Sequence, residues 1–221
     1  LSATQRPLDE ISRFLGGSTV TDDGAVTARP VTVIDAGATK ELRIEVVVPI
    51  DDMGALGEMV EPSIDAPATA AAERRSIWPS IHPRLLDLIH DNRSTLIFAN
   101  SRRLSERLTA HLNELDLQRR DGSGGVGAVS PDTSVVSSVA DGTEIVKAHH
   151  GSLSRERRLE IEDRLKRGEL RGLVATSSLE LGIDMGAVDL VVQVSSPGSV
   201  SSGMQRIGRA GHRVGEPSRG K

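Results

Sequence analysis

Gln205-Arg206-Ile207-Gly208-Arg209-Ala210-Gly211-His212 sets two arginines three residues apart, with glycines beside them. At a helix start, this spacing lets the backbone approach a ligand closely and sends Arg209 to one side. A guanidinium in that place can stabilise charge on a transferring γ-phosphate, a contribution of about 10³–10⁵ in rate. A solvated basic helix accounts for the same residues equally well. The local charge suits either reading, because residues 195–221 carry five basic side chains (Arg206, Arg209, Arg213, Arg219 and Lys221) against Glu216 alone. An anion site near the C-terminus is one way to use such a patch, and plain solvation is the other.

Two glycine patterns and a histidine pair invite chemical readings that their surroundings do not support. Gly122, Gly124 and Gly127 form GxGxxG, but a dinucleotide site needs that pattern between a strand and a helix. Here it lies in a Gly/Ser-rich stretch with no helix signal after it. Gly215–Lys221 (GEPSRGK) matches the start of a P-loop, yet no buried strand precedes it, and Pro217 and Arg219 make a poor phosphate nest. The chain has no other P-loop and no DExH or DExD motif. His149 and His150 are adjacent, so in a loop their side chains need not converge on a metal; packing and capping suit them better.

The totals narrow the classes further. The chain has 221 residues, of which 37% are hydrophobic, enough for one α/β domain with an appendage or two small domains. Absence of Cys excludes a disulfide scaffold, a zinc ribbon and a thiol nucleophile, and it suits an intracellular protein. The net charge of −4 argues against a wholly basic nucleic-acid coat. Charge is also uneven, with 9 Lys+Arg against 15 Asp+Glu in residues 1–93 and 18 against 16 thereafter. No apolar run approaches the ~20 residues that span a bilayer, and no basic-then-apolar leader opens the chain. Leu1 stands first and residues 1–6 read as the middle of a longer sequence, so a fragment or processed product is expected.

These candidate residues need a scaffold, and the pattern along the chain supplies one. Residues 7–15 predict a short helix opened by Pro7. Residues 31–35 and 42–50 predict two strands, antiparallel around a Gly-containing turn. Residues 51–80 lose all period and predict a flexible connector, ending where Trp78-Pro79 anchors the next domain. From residue 81 the elements alternate: helix 81–92, strand 95–99, helix 102–116, a disordered insertion at 119–143, strand 145–148, helix 154–167, strand 172–175, short helix 177–182, strand 190–194 and helix 200–209. Strands this apolar predict a mainly parallel, doubly wound α/β sheet with helices on both faces. Ligands in such sheets lie beyond the carboxyl ends of the strands. The loops 99–102, 149–152, 176–184 and 195–205 are therefore the places to look.

Read in chain order, five segments resemble the motifs of superfamily 2 helicases. Leu1-Ser2-Ala3-Thr4 looks like motif III, Thr95–Ser101 (TLIFANS) like motif IV, and Ala148–Leu153 (AHHGSL) like the phosphate-contacting turn. Ala175–Asp184 (ATSSLELGID) looks like motif V and Gln205–His212 like motif VI. In detail, IWP, FANSRRLSERL, AHHGSLS, SSLELGIDMGAVDLV and QRIGRAGH resemble the large helicase-related (Lhr) family across nearly the whole chain. The resemblance implies a RecA-like helicase C-terminal domain at 81–221 and the tail of the first motor domain with crossover strands at 1–50. It also implies an intracellular, bacterial protein.

By the same resemblance, Arg209 aligns with the arginine finger and Gln205 orients the nucleotide phosphates or that finger. Gly182 and Asp184 lie near the ribose, with His212 where many superfamily 2 members have a second arginine. Ser101, Arg102, Gly151, Ser152 and Thr176 contact phosphates of the tracking strand, and Ser2 and Thr4 couple hydrolysis to strand movement. An exposed Arg at a helix start explains Arg102 equally well. ATP and Mg²⁺ are expected to be bound mainly by an N-terminal motor domain of the same parent chain, which leaves this chain inactive by itself. The strand is expected to be single-stranded DNA or a DNA/RNA hybrid, and with only Phe14, Phe98 and Trp78 as aromatics, base stacking is left to other parts. The competing class is a non-catalytic nucleic-acid-binding or assembly domain that retains the fold.

Overall fold

The computed structural model describes residues 7–34, 41–50, 59–60, 73–74, 76–122, 144–180, 188–211 and 216–221. They fall into two compact units, Leu1–Lys40 and Glu41–Lys221. In the first, helix α1 (Leu8–Gly16) starts after Pro7, with Asp9 and Glu10 in its first turn and Arg13 in its last, each favourable to the helix dipole. Strands β1 (Ser18–Val20) and β2 (Val26–Ala28) then pair antiparallel. Their turn is set by Asp23-Gly24. Gly24 takes φ +81°, its N–H donates to Thr21 O at 2.8 Å, and the Asp23 carboxylate accepts from the Thr21 hydroxyl and from Ala25 N.

The antiparallel pair therefore lies at 18–28 rather than at 31–50. An Asp-Gly turn between short β-branched runs is the stronger hairpin signal. Residues 31–34 form no strand, and residue 35 lies outside the described residues.

The second unit opens with β3 (Leu42–Ile44), followed by the short pair β4 (Met59–Val60) and β5 (Glu73–Arg74). Then come α2 (Trp78–Asp91), β6 (Thr95–Ala99), α3 (Arg102–Arg120), β7 (Val146–His149), α4 (Arg155–Lys166), β8 (Gly172–Ala175), β9 (Leu190–Val194), α5 (Val200–Ile207) and β10 (Ser218–Gly220). Six strands form one sheet in the order β3-β10-β9-β6-β8-β7, and every pair in it is parallel. Parallel strands are buried on both faces, and alternation along β6 shows how. Ile97 and Ala99 join a core with Leu86, Ile89, Leu108 and Leu112 of α2 and α3. Leu96 and Phe98 join a core with Ile161 and Leu165 of α4. This is a RecA-like, doubly wound sheet, with a two-stranded antiparallel appendage near the N-terminus.

The edge strand β7 is closed by a side chain. Asn113 of α3, itself buried, donates to Val146 O at 2.9 Å and accepts from Val146 N at 3.1 Å, so backbone groups at the sheet edge are satisfied. Within the six-stranded sheet, β10 is the strand that the sequence reading missed. Ser218–Gly220, which reads as part of a P-loop, is a strand between β3 and β9. A Cβ on Gly220 would lie 3.0 Å from Ile207 Cγ1, so glycine here permits close packing of α5 rather than a phosphate nest. Of the insertion, 119–122 complete α3 and its turn. Residues 123–143, with Gly124 and Gly127, lie outside the described residues.

Helix α2 begins at Trp78, three residues before the expected start, with Pro79 in its first turn, where a missing N–H costs little. Trp78 packs against the α2/α3 core and stacks on His82, with centroids 5.5 Å apart, and His82 stacks on His111 at 5.0 Å. Burial, followed by the nearby His111 and Arg107, pushes the pKa of His82 down to about 4. The unfolded chain therefore binds a proton at His82 below pH 6.5 that the folded chain refuses. The stability this neutral ring contributes is complete above pH 6.5 and is lost as pH falls toward 4. After allowance for solvent around a half-buried ring, the loss should be about 1–2 kcal/mol. Urea titrations of the chain at pH 7.5 and 5, read by the fluorescence of its single Trp, should show His82→Gln losing less stability than the parent by that amount. Equal pH dependence in both proteins would refute the assignment.

Candidate functional site

Four of the parallel strands end side by side at one edge, and the loops that leave them carry five of the seven expected site residues that are described. In sheet order they are β9, β6, β8 and β7. The chain runs from β6 out to β7, returns to β8 and then crosses β6 to reach β9. The loops after β6 and β9 consequently diverge at a topological switch point. Asn100, immediately after β6, bridges that gap, donating from Nδ2 to Ser196 O at 3.0 Å. Ser195, just after β9, has φ 76°, a left-handed conformation uncommon for a residue other than glycine.

Ser101, Arg102, Gly151, Ser152 and Thr176 all lie at this edge. Ser101 is the N-cap of α3, its hydroxyl oxygen accepting from Leu104 N at 3.1 Å. Exposed Arg102 begins the helix and donates to Glu106 at 3.2 Å. The same Glu106 oxygen lies 3.0 Å from Nε2 of His150, which is buried directly before the turn. Gly151 and Ser152 are exposed in that turn, which Leu153 N closes onto His150 O at 3.1 Å. Thr176, after β8, donates its backbone N–H to His149 O at 3.2 Å. The 3₁₀ turn Ser177–Leu179 follows, shorter than the helix expected at 177–182.

Motif VI occupies the end of α5 rather than a helix start. The helix closes at Ile207, and Gly208-Arg209 form the turn after it. The two arginines consequently part company. Arg206 is buried, with its Nε 2.8 Å and its Nη2 2.6 Å from the same Glu180 oxygen. That oxygen also accepts from the Ser202 hydroxyl at 2.9 Å. The Arg206 guanidinium lies 5.0 Å over the Phe98 ring and reaches Asn100 Oδ1 at 3.4 Å. Arg209 is half-buried and donates from Nη2 to the backbone carbonyl of Glu180 at 2.7 Å. Glu180 thus receives one arginine on its side chain and the other on its backbone. Gln205 is half-buried one residue before Arg206.

A second polar cluster lies behind the loops. His149, the last residue of β7, is fully buried; its Nε2 meets Glu162 of α4 at 3.0 Å and its Nδ1 meets the Ser178 hydroxyl at 3.1 Å. Burial lowers the imidazole pKa, and the Glu162 carboxylate offsets only part of that. Sequence reasoning missed the parts played by Asn100, Glu180, Glu162 and Ser178. All but Glu162 lie inside the strings that carry the family resemblance, so the strings pointed to the region but not to the pairing. Gly182, Asp184, His212, Ser2 and Thr4 lie outside the described residues. Among the described residues, no cluster of three or more His, Asp or Glu could hold a metal ion, and no helix is long and apolar enough to cross a membrane.

Comparison with known proteins agrees with this architecture. The model of the helicase conserved C-terminal domain matches residues 81–214. The chain is 45% identical over 228 residues to the Lhr helicase/probable uracil glycosylase of Mycolicibacterium smegmatis, covering 100% of this chain and 13% of that protein. It is 44% identical over 229 residues to the Lhr helicase/uracil glycosylase of Escherichia coli, covering 100% of this chain and 14% of that one. Among solved structures, Mycobacterium smegmatis helicase Lhr bound to ssDNA and AMP-PNP is similar at a TM-score of 0.73 and 44% identity. That match covers 99% of this chain and 23% of the other. This chain thus spans only about one seventh of the curated relatives, and it belongs to the helicase conserved C-terminal domain family, among the Lhr helicases of superfamily 2.

Proposed function

We propose that this chain supplies the second motor domain of an ATP-dependent DNA helicase or translocase, bringing an arginine finger and strand-phosphate contacts to an ATP site shared with a first motor domain. In this reading residues 1–50 carry the end of that first domain and the crossover strands, 51–80 a connector, and 81–221 the second domain. The carrying observation is the double hold on Glu180, with Arg206 on its carboxylate and Arg209 on its carbonyl. It ties motif VI to the segment leading into Gly182 and Asp184, the expected ribose contacts. By releasing the Glu180 carbonyl, Arg209 would donate to γ-phosphoryl oxygens, where its charge would lower the barrier. Gln205 orients the phosphates or the finger, and His212 lies close by in sequence.

The strand would run across the loops holding Ser101, Arg102, Gly151, Ser152 and Thr176. Small hydroxyls and glycine let a phosphodiester approach the backbone and position it without reading sequence. Ser2 and Thr4 would couple hydrolysis to strand movement. The relative solved with ssDNA and AMP-PNP supports a DNA strand and a nucleotide as ligands. Mg²⁺, held mainly by the first motor domain, would supply charge neutralisation at the phosphates.

ATP turnover by the full-length gene product, with and without single-stranded DNA, tests the reading. Turnover should rise on addition of the strand, and the 221-residue chain alone should give none. A full-length protein that binds DNA without hydrolysing ATP would favour the non-catalytic binding domain instead.

A further inference from the structure

We propose that Ser178, His149 and Glu162 form a positioning relay that fixes the spacing between two phosphate-contacting loops, Gly151–Ser152 and Thr176. The inference rests on the reading of those loops as strand contacts. His149 ends β7 two residues before Gly151 of the first loop, and Ser178 lies two residues after Thr176 in the second. Glu162 reaches His149 from α4, the helix that follows the first loop.

The proton positions follow from the partners. A carboxylate only accepts, so Nε2 carries the hydrogen and donates to Glu162 at 3.0 Å. In the neutral ring Nδ1 is then the acceptor, and the Ser178 hydroxyl donates to it at 3.1 Å. The charged or titratable groups bearing on the ring are Glu162, Arg158 and His150. The backbone repeats the tie, since Thr176 N donates to His149 O at 3.2 Å. Side chain and main chain together clamp one loop to the other.

An apolar residue would fill the fully buried end of β7 without the cost of burying three polar groups, so packing alone does not call for this arrangement. The trio also differs from a hydrolytic triad. In a triad the serine faces Nε2 and the acid faces Nδ1, whereas here the two are exchanged around a ring that solvent does not reach. The relay orients; it does not attack.

The test uses the full-length protein and an oligodeoxythymidylate strand. Three quantities are read: the strand concentration for half-maximal ATP turnover, the turnover at saturating strand, and the melting midpoint. Ser178→Ala should raise the half-maximal concentration about fivefold, the loss of one hydrogen bond read as affinity. Saturated turnover should stay within about twofold and the midpoint within about 2 °C. Glu162→Gln, whose amide oxygen still accepts from Nε2, should stay close to wild type, while Glu162→Ala should not. The relay is overturned if Ser178→Ala leaves the half-maximal concentration unchanged. It is equally overturned if turnover and midpoint fall along with affinity, as a purely structural role would require. Wild-type turnover that ignores the strand would overturn both the relay and the reading beneath it. Strand-stimulated turnover that Arg209→Ala abolishes, with Ser178→Ala silent, would overturn the relay alone.

Discussion

Glu180→Ala should destabilise the domain by about 3–5 kcal/mol, the usual consequence of removing one partner from a buried ion pair. Glu180 and Arg206 side chains are only 16% and 6% exposed, and the carboxylate oxygen accepts from Arg206 Nε and Nη2 and from the Ser202 hydroxyl. Without it, the guanidinium cannot shed its proton and stays charged in a low-dielectric site. The Phe98 face at 5.0 Å and Asn100 Oδ1 at 3.4 Å are neutral and offset a fraction of that cost. Glu180→Gln keeps an acceptor oxygen and should lose about 1–2 kcal/mol. Pairing Glu180→Ala with Arg206→Met should recover much of the loss, because an apolar pair carries no desolvation penalty. Urea unfolding of the chain followed by Trp78 fluorescence measures all four proteins. A loss under about 1 kcal/mol in Glu180→Ala would mean that solvent reaches Arg206 and that the pair does not hold the site together.

The sheet was legible because burial on both faces leaves a compositional trace. LIFA, GLVA and LVVQV are too apolar for a one-faced sheet, and the helices that follow the sheet's strands carry caps at Ser101, Ser154 and Ser199. Strand β10 left no such trace. Ser-Arg-Gly has almost no β-propensity, and it is a strand because Gly220 lets Ile207 sit against the backbone while Ser218 donates to Ala210 O at 2.8 Å. Tertiary context decides such an element, and a window of sequence does not contain it. The appendage shows the converse error, in which β-branched content at 31–35 outweighed a two-residue turn signal at Asp23-Gly24, while the strand expected at 42–50 is β3, paired parallel to β10.

The site was legible as strings and not as pairs. Arg206 and Arg209 look equivalent on paper, and spacing alone cannot tell that helix α5 ends between them. That ending buries the first arginine against Phe98 and Glu180 and leaves the second half-buried at the rim. His149 and His150 likewise look like a pair. At the end of a strand, successive side chains diverge, so each meets a carboxylate from a different helix, Glu162 on α4 and Glu106 on α3.

Arg209 carries the account's central claim, and strand-stimulated ATP turnover in the full-length protein tests it most directly. Its guanidinium donates to Glu180 O at 2.7 Å, and loss of that hydrogen bond should cost the fold about 1 kcal/mol. Charge at a transferring phosphoryl group is a far larger matter, because the transition state spreads charge over oxygens that a planar, permanently charged donor can bridge. Arg209→Ala should therefore lower turnover by about 10³-fold or more while nucleotide affinity, measured separately, is retained. Arg209→Lys should recover little, since a point charge does not reproduce the fork. Unchanged turnover in Arg209→Ala would contradict the account. Arg209 would then be a structural partner of Glu180, and the domain would be one that binds nucleic acid without completing an ATP site.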